Sequence, residues 1–255
     1  MKYELLLDKN RFEKNDNIDE NEELLLNEYN PKTDSNLIVN FDCELDSLQD
    51  IRAIDLLFLL DTTASMNCYF TEVTKIIRKI ICDIERCISQ FYLEEIDILK
   101  VGLVTYRDHE DDGISYLTNI ESDLSTNIKE MIKHLMTINC CGGKDEPEAV
   151  FDGLKVAVND INWRKDSIKF IYHILDAPCH GKKYHNLKDD KYEECPEGIN
   201  IEELLNEMRH KNIKYTVIKL NDSIDIMLKE FQKFINFDVV SPKIILDETK
   251  IKKQH

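Results

Sequence analysis

Asp61, Thr63 and Ser65 set one carboxylate and two hydroxyls at alternate positions in the run Asp61-Thr62-Thr63-Ala64-Ser65-Met66, directly after an apolar stretch ending in Leu59-Leu60. In an extended turn every second residue points the same way, so the three oxygens can converge into a small cage. Few carboxylates, neutral oxygens and room for retained waters suit a hard divalent ion, Mg²⁺ or Mn²⁺. The same residue types also cap helices, and a helical pattern follows. An Asp/Thr/Ser cap that only starts the helix is the alternative.

The elements around this turn follow from periodicity. Residues 54–60 form an apolar run bounded for a buried strand, and residues 65–92 read as a long helix in which Val73, Ile76, Ile77, Ile80, Ile81, Ile84 and Ile88 recur at helical spacing. Residues 99–106 predict a second strand, 114–117 a short third, and 124–138 a helix with the stripe Ile128, Met131, Ile132 and Leu135. A helix is expected over 148–161, entered through Pro147. A strand at 168–175, a helix at 201–211, a strand at 213–220, a helix at 223–235 and a last strand at 239–246 complete the chain. Strand and helix alternate, which predicts an α/β fold: a Rossmann-like three-layer sandwich, its central sheet mainly parallel with helices on both faces. Ligands of such sheets gather beyond the carboxyl ends of the strands. Asp61 and Asp176 both stand where a strand is expected to end.

The 255 residues carry a formal charge of −17, which argues against nucleic-acid phosphate or anionic lipid as partner. It suits a protein that recruits cations or a basic partner. Residues 1–50 hold 14 Asp/Glu against 5 Lys/Arg, and 15–23 are nearly all polar. Residues 1–50 therefore read as an acidic, partly disordered extension, and 51–255 as the folded domain. Residues 3–7 and 37–41 are apolar enough for short strands or docking segments. No apolar stretch is long enough to span a membrane. Met1-Lys2-Tyr3-Glu4 turns acidic at once and lacks the apolar core of a signal peptide, so a cytoplasmic location is expected. The eight cysteines are then expected as reduced thiols. Cys179, His180, His185 and Cys195 have zinc-capable chemistry but irregular spacing, and a loop with incidental Cys and His is the alternative.

Several segments resemble one family. The turn Asp61-Thr62-Thr63-Ala64-Ser65 is similar to the DxSxS signature of von Willebrand factor type A domains, where it forms a metal-ion-dependent adhesion site. Ile174-Leu175-Asp176-Ala177-Pro178 looks like the distant acid of that site. Val104-Thr105-Tyr106-Arg107-Asp108-His109, Gly142-Gly143-Lys144-Asp145-Glu146-Pro147-Glu148 and Asp176-Ala177-Pro178-Cys179-His180-Gly181 resemble the version of the domain linked to alpha-type protein kinases. The resemblance covers roughly residues 52–246. It implies metal ligation by Asp61, Thr63, Ser65 and Asp176. One position departs: where the family has a distant Thr, this chain has Cys140-Cys141-Gly142-Gly143-Lys144-Asp145. A thiol is a poor ligand for a hard cation. Either Asp145 supplies the missing oxygen, or the loop gives only backbone and water. An acid interacting with the dipole of the next helix is a further reading of Asp145.

The acids after the second strand, Asp108, Glu110, Asp111 and Asp112, are expected to flank the same rim, with Asp108 best placed to hold a loop. The function expected from these features is divalent-metal-dependent protein binding, the ion capturing an acidic residue of a partner protein. A scaffold with a degenerate site, or a regulatory partner of an alpha-type protein kinase, is the alternative, and a metal-dependent hydrolase the less favoured one. Enzymatic activity is not expected. The only adjacent glycines are Gly142-Gly143, no G-x-S-x-G occurs, and no base for metal-assisted hydrolysis stands out.

Overall fold

The computed structural model describes residues 53–91, 98–109 and 116–242. The acidic segment 1–50, the acids Glu110 to Asp112 and the chain beyond 242 lie outside these residues. Among the described residues the strands are β1 (Ile54–Asp61), β2 (Leu99–Tyr106), β3 (Thr118–Ser125), β4 (Ile168–Leu175), β5 (Ile213–Lys219) and β6 (Asp238–Val240). The helices are α1 (Phe70–Phe91), α2 (Ile128–Thr137), α3 (Val150–Asn159), α4 (Ile201–His210) and α5 (Asp225–Phe231), and a 3₁₀ turn, Ala64–Cys68, precedes α1.

The strands form one sheet in the order β3-β2-β1-β4-β5-β6. β1 pairs in parallel with both β2 and β4, and β4–β5 and β5–β6 are also parallel. β3 runs antiparallel to β2. All eight residues of β1 are buried, as a central strand covered on both faces demands. Leu57 and Leu59 enter one apolar cluster with Val150, Leu154, Leu205, Met208 and Phe231 from α3, α4 and α5. Leu56, Phe58 and Leu60 point to the other face and are equally buried. The α1 stripe Val73, Ile76, Ile77, Ile80, Ile81 and Ile84 is buried as its spacing requires.

Of the third strand expected at 114–117, residues 114 and 115 lie outside the described residues, and 116 and 117 are not in a strand. The strand lies at Thr118–Ser125, and α2 begins only at Ile128. Thr118-Asn119-Ile120-Glu121-Ser122-Asp123-Leu124-Ser125 is an edge strand that is mostly half-buried, so it lacks the apolar run that marks an inner strand. Asn127 then caps α2, accepting from the Glu130 N–H at 3.3 Å while its amide donates to the Glu130 carboxylate at 2.7 Å. Helix α3 is also shorter than expected at its start. Glu148 stays extended and forms an isolated parallel bridge with Cys179.

Two close fits lock the sheet. A Cβ on Gly153 of α3 would lie 2.5 Å from the Tyr106 ring, so the helix sits on β2 where only glycine fits. At the amino end of β1, the buried Asp55 carboxylate accepts from the Arg164 Nε and backbone N and from the Ser167 hydroxyl, each at 2.7 Å. The Arg164 guanidinium also caps the Ile54 and Ile98 carbonyls. With that end fixed, the opposite end is free to carry chemistry. The chain leaves β1 for β2 on one side and returns to β4 on the other, so the loops after β1 and β4 diverge there and open a crevice.

Candidate metal site

The loop after β1 is held from two sides. The Thr62 N–H and hydroxyl both donate to the Tyr106 carbonyl at 3.0 Å. The Cys141 N–H donates to the Thr62 carbonyl and the Ala64 N–H to the Gly142 carbonyl, which zips the Cys-Cys-Gly-Gly loop onto this turn. Asn67 adds bonds to the Ala64 and Cys140 carbonyls. Cys140 and Cys141 thus supply backbone contacts here.

Within this frame the side chains form a chain of oxygens. Asp61 Oδ1 accepts from the Thr63 N–H at 2.9 Å and from the Thr63 hydroxyl at 2.7 Å. The Thr63 and Ser65 hydroxyls lie 3.2 Å apart, and Ser65 donates to Asp176 Oδ1 at 3.0 Å. Asp61, Thr63, Ser65 and Asp176 are therefore brought together. Asp176 is 115 positions from Asp61 in sequence but follows the strand beside it. Its own carbonyl is bonded by the Ser223 hydroxyl, which steadies the loop after β4.

The charge on this cluster is unbalanced. Asp61 Oδ2 is buried with no hydrogen-bond partner. Burial, then the nearby Asp176 charge, pushes the Asp61 carboxyl up to about 8. Burial pushes Asp176 to about 6. Glu148, which sequence reasoning passed over as a helix residue, belongs to the same group. It is 3% exposed, and burial followed by the Asp61 and Asp108 charges holds its carboxyl well above the usual range. Its sequence signals are its place at the end of the Gly142-to-Glu148 segment and its position just after Pro147. A buried carboxylate oxygen without a donor is what a resident cation would satisfy, so the donor set of carboxylates and hydroxyls fits Mg²⁺ or Mn²⁺.

A family model described as von Willebrand factor A domain matches residues 55–214. The chain belongs to that family. A Dictyostelium discoideum protein named Alpha-protein kinase vwkA is 30% identical over 184 residues, which cover 72% of this chain and 27% of that protein. The chain thus spans about a quarter of that relative's length. Domains of this family act as protein-interaction modules and commonly hold a divalent metal. Among the described residues, no helix is long and apolar enough to cross a membrane.

This von Willebrand factor A domain carries a second group on the same rim, and its electrostatics are opposite. Asp108, Asp145 and His180 bring ligand atoms within 4.8 Å of one another. Here imidazole nitrogens already supply the carboxylates with hydrogen-bond partners. His180 bridges Asp108 Oδ1 at 2.9 Å and Asp190 Oδ1 at 3.0 Å, and His185 reaches Asp190 Oδ2 at 2.9 Å. Burial alone would raise Asp108, but the His180 hydrogen bond and charge bring it below its usual value. Burial would likewise raise Asp190, and the Gly181 and Tyr192 N–H groups together with His180 lower it. His180 is itself raised, its two carboxylate partners outweighing the effect of burial. The group therefore works as an ion-pair clasp between the loops after β2 and β4, and Asp108 holds a loop as its position suggested. Asp145 sits half-buried beside this clasp.

The zinc alternative at Cys179, His180, His185 and Cys195 has no matching cluster among the described residues; both histidines turn to Asp190 instead. None of the seven described cysteines is in a disulfide. Below the site, Tyr106, His173 and Tyr215 form a buried chain, with contacts of 2.9 and 2.7 Å to the two imidazole nitrogens. Burial pushes His173 down to about 3, so the ring is neutral and donates at one nitrogen while accepting at the other.

Proposed function

We propose that this domain is a divalent-metal-dependent protein-binding module and not an enzyme. Mg²⁺ or Mn²⁺ would be held by Asp61, Thr63, Ser65 and Asp176, with Asp145 available from the loop above. The ion's open position would capture an acidic residue presented by a partner protein. The observation that carries this reading is Asp61 Oδ2: fully buried, without a donor, and next to a second buried carboxylate. Such an arrangement is costly without a cation and costs little with one. Bound there, the ion would supply a Lewis-acidic position; the Thr63 hydroxyl holds Asp61 and the Ser65 hydroxyl holds Asp176 in register.

The test is thermal unfolding with Mg²⁺, Mn²⁺ or EDTA, followed by a pull-down with and without EDTA. A metal-dependent rise in melting temperature and an EDTA-sensitive partner support the reading. An unchanged melting temperature overturns it and favours a scaffold with a degenerate site. The relative named as an alpha-protein kinase favours a more specific version, in which the module acts beside an alpha-type kinase. Recovery of such a kinase in the EDTA-sensitive fraction would establish that version.

A further inference from the structure

We infer that Glu148 is a third carboxylate ligand of the ion, standing where the family's distant Thr would be. This rests on the metal-binding reading above and names a residue outside the ligand set of Asp61, Thr63, Ser65, a distant Thr and Asp176. Glu148 is pinned by its backbone at the meeting point of three loops. Its N–H donates to the Pro178 carbonyl at 2.8 Å, and the next N–H, of Ala149, donates to the Arg107 carbonyl at 2.9 Å. The side chain is thereby directed at the turn after β1. A Cβ on Gly143 would stand 2.7 Å from Glu148 Oε1 and 3.2 Å from Thr63 Cβ, so the glycine loop closes directly over both side chains. The Gly143 φ of +75° further restricts that position to glycine.

Counting protons shows what is missing. The Thr63 hydroxyl interacts with both Asp61 and Glu148, yet it carries one hydrogen, and that hydrogen goes to Asp61 Oδ1 at 2.7 Å. Ser65 spends its hydrogen on Asp176. Asp61 Oδ2 and Glu148 Oε2 are both left buried with no hydrogen-bond partner. Two orphaned carboxylate oxygens on either side of one hydroxyl describe a position for a cation, with the hydroxyl oxygen free to ligate it as well. The clasp formed by Asp108, His180 and Asp190 shows the contrasting case, in which every oxygen named has a donor. Cys140 and Cys141 need not replace the Thr, because the oxygen comes from five residues past Gly143 and not from the loop itself. Three carboxylates around a divalent ion also hold it more tightly and leave it less positive charge for an acidic partner.

The experiment is Mn²⁺ titration, by calorimetry, of the whole chain and of Glu148→Gln, Glu148→Asp and Asp145→Asn, with metal-free melting at pH 8 as a second readout. Glu148→Gln should weaken Mn²⁺ binding by at least roughly tenfold, a loss that even outer partners of a metal site produce. It should also melt higher than the unaltered chain in EDTA, because burial no longer opposes the ionisation of this side chain. Glu148→Asp, with its charge kept but withdrawn by one methylene, should bind at intermediate strength. Asp145→Asn should bind more strongly than Glu148→Gln. A Glu148→Gln variant that binds Mn²⁺ as the unaltered chain does overturns the inference and leaves the metal-site reading standing. The inference also fails if Glu148→Gln melts lower in EDTA and Glu148→Asp binds normally, since Glu148 is then only structural. If the unaltered chain itself takes up no Mn²⁺, the metal-site reading falls and the inference falls with it.

Discussion

Replacing Asp61 with Asn should make the metal-free protein more stable at pH 8 while abolishing its response to metal. The folded carboxyl titrates near 8 against an ordinary 3.8, because burial and then the Asp176 charge oppose its ionisation. Between those two values the folded chain keeps a proton that the unfolded chain has lost. Stability without metal therefore falls as pH rises through this window. At about 1.36 kcal/mol per pH unit, the penalty at pH 8 is about 5 kcal/mol. Asp176 and Glu148 face the same cluster and Asp108 stands close by, so the slope belongs to the group and its apparent titration is shared. Asn does not ionise, so the variant escapes this penalty. Urea unfolding in EDTA from pH 5 to pH 8 should show the parent losing several kcal/mol and the variant losing markedly less. Mn²⁺ at a hundred times its dissociation constant should return about 2.7 kcal/mol to the parent and nothing to the variant. A flat pH profile for the parent in EDTA, or an undiminished Mn²⁺ gain in Asp61→Asn, would refute the reasoning.

The other outcomes are simpler. Thr63→Ala and Ser65→Ala should each weaken Mn²⁺ binding by removing a neutral oxygen, and the double variant should bind no measurable ion by calorimetry. Asp55→Ala should cost about 3–5 kcal/mol in urea unfolding, because it strands the Arg164 guanidinium against the end of the sheet; it should leave Mn²⁺ affinity unchanged. Asp190→Asn should destabilise through the His180 clasp. The lowered carboxylates contribute above the ordinary carboxylate range, and the raised His180 contributes fully below 6.5. The loss should thus be greatest near pH 5–6 and shrink on either side, which unfolding at three pH values would reveal. Gly143→Ala should displace the Glu148 carboxylate, lowering both Mn²⁺ affinity and stability, the latter by about 1–3 kcal/mol.

Much of this molecule was legible in the chain. The apolar run of β1, the α1 stripe and the strand at Ile168–Leu175 follow from periodicity, because a buried strand or helix must show its apolar residues at the spacing of its own geometry. The Asp61-x-Thr63-x-Ser65 turn is equally local: three oxygens two residues apart converge through chain geometry alone. Where burial is partial the pattern fades, and so β3, a half-buried edge strand, lies later than the apolar residues suggest.

Tertiary structure alone decided which atoms the distant acids meet. Asp176, Glu148 and Asp108 are all acids beside apolar segments, and residue type does not separate them. Strand order set Asp176 next to Ser65. The extended start of α3 turned Glu148 toward Thr63, and the loop after β4 brought His180 to Asp108. Two of these carboxylates were left without counter-charge and the third received one. A carboxylate's role depends on the charges and donors within a few ångströms of it, and those distances are set by how strands pack and not by their order in the chain.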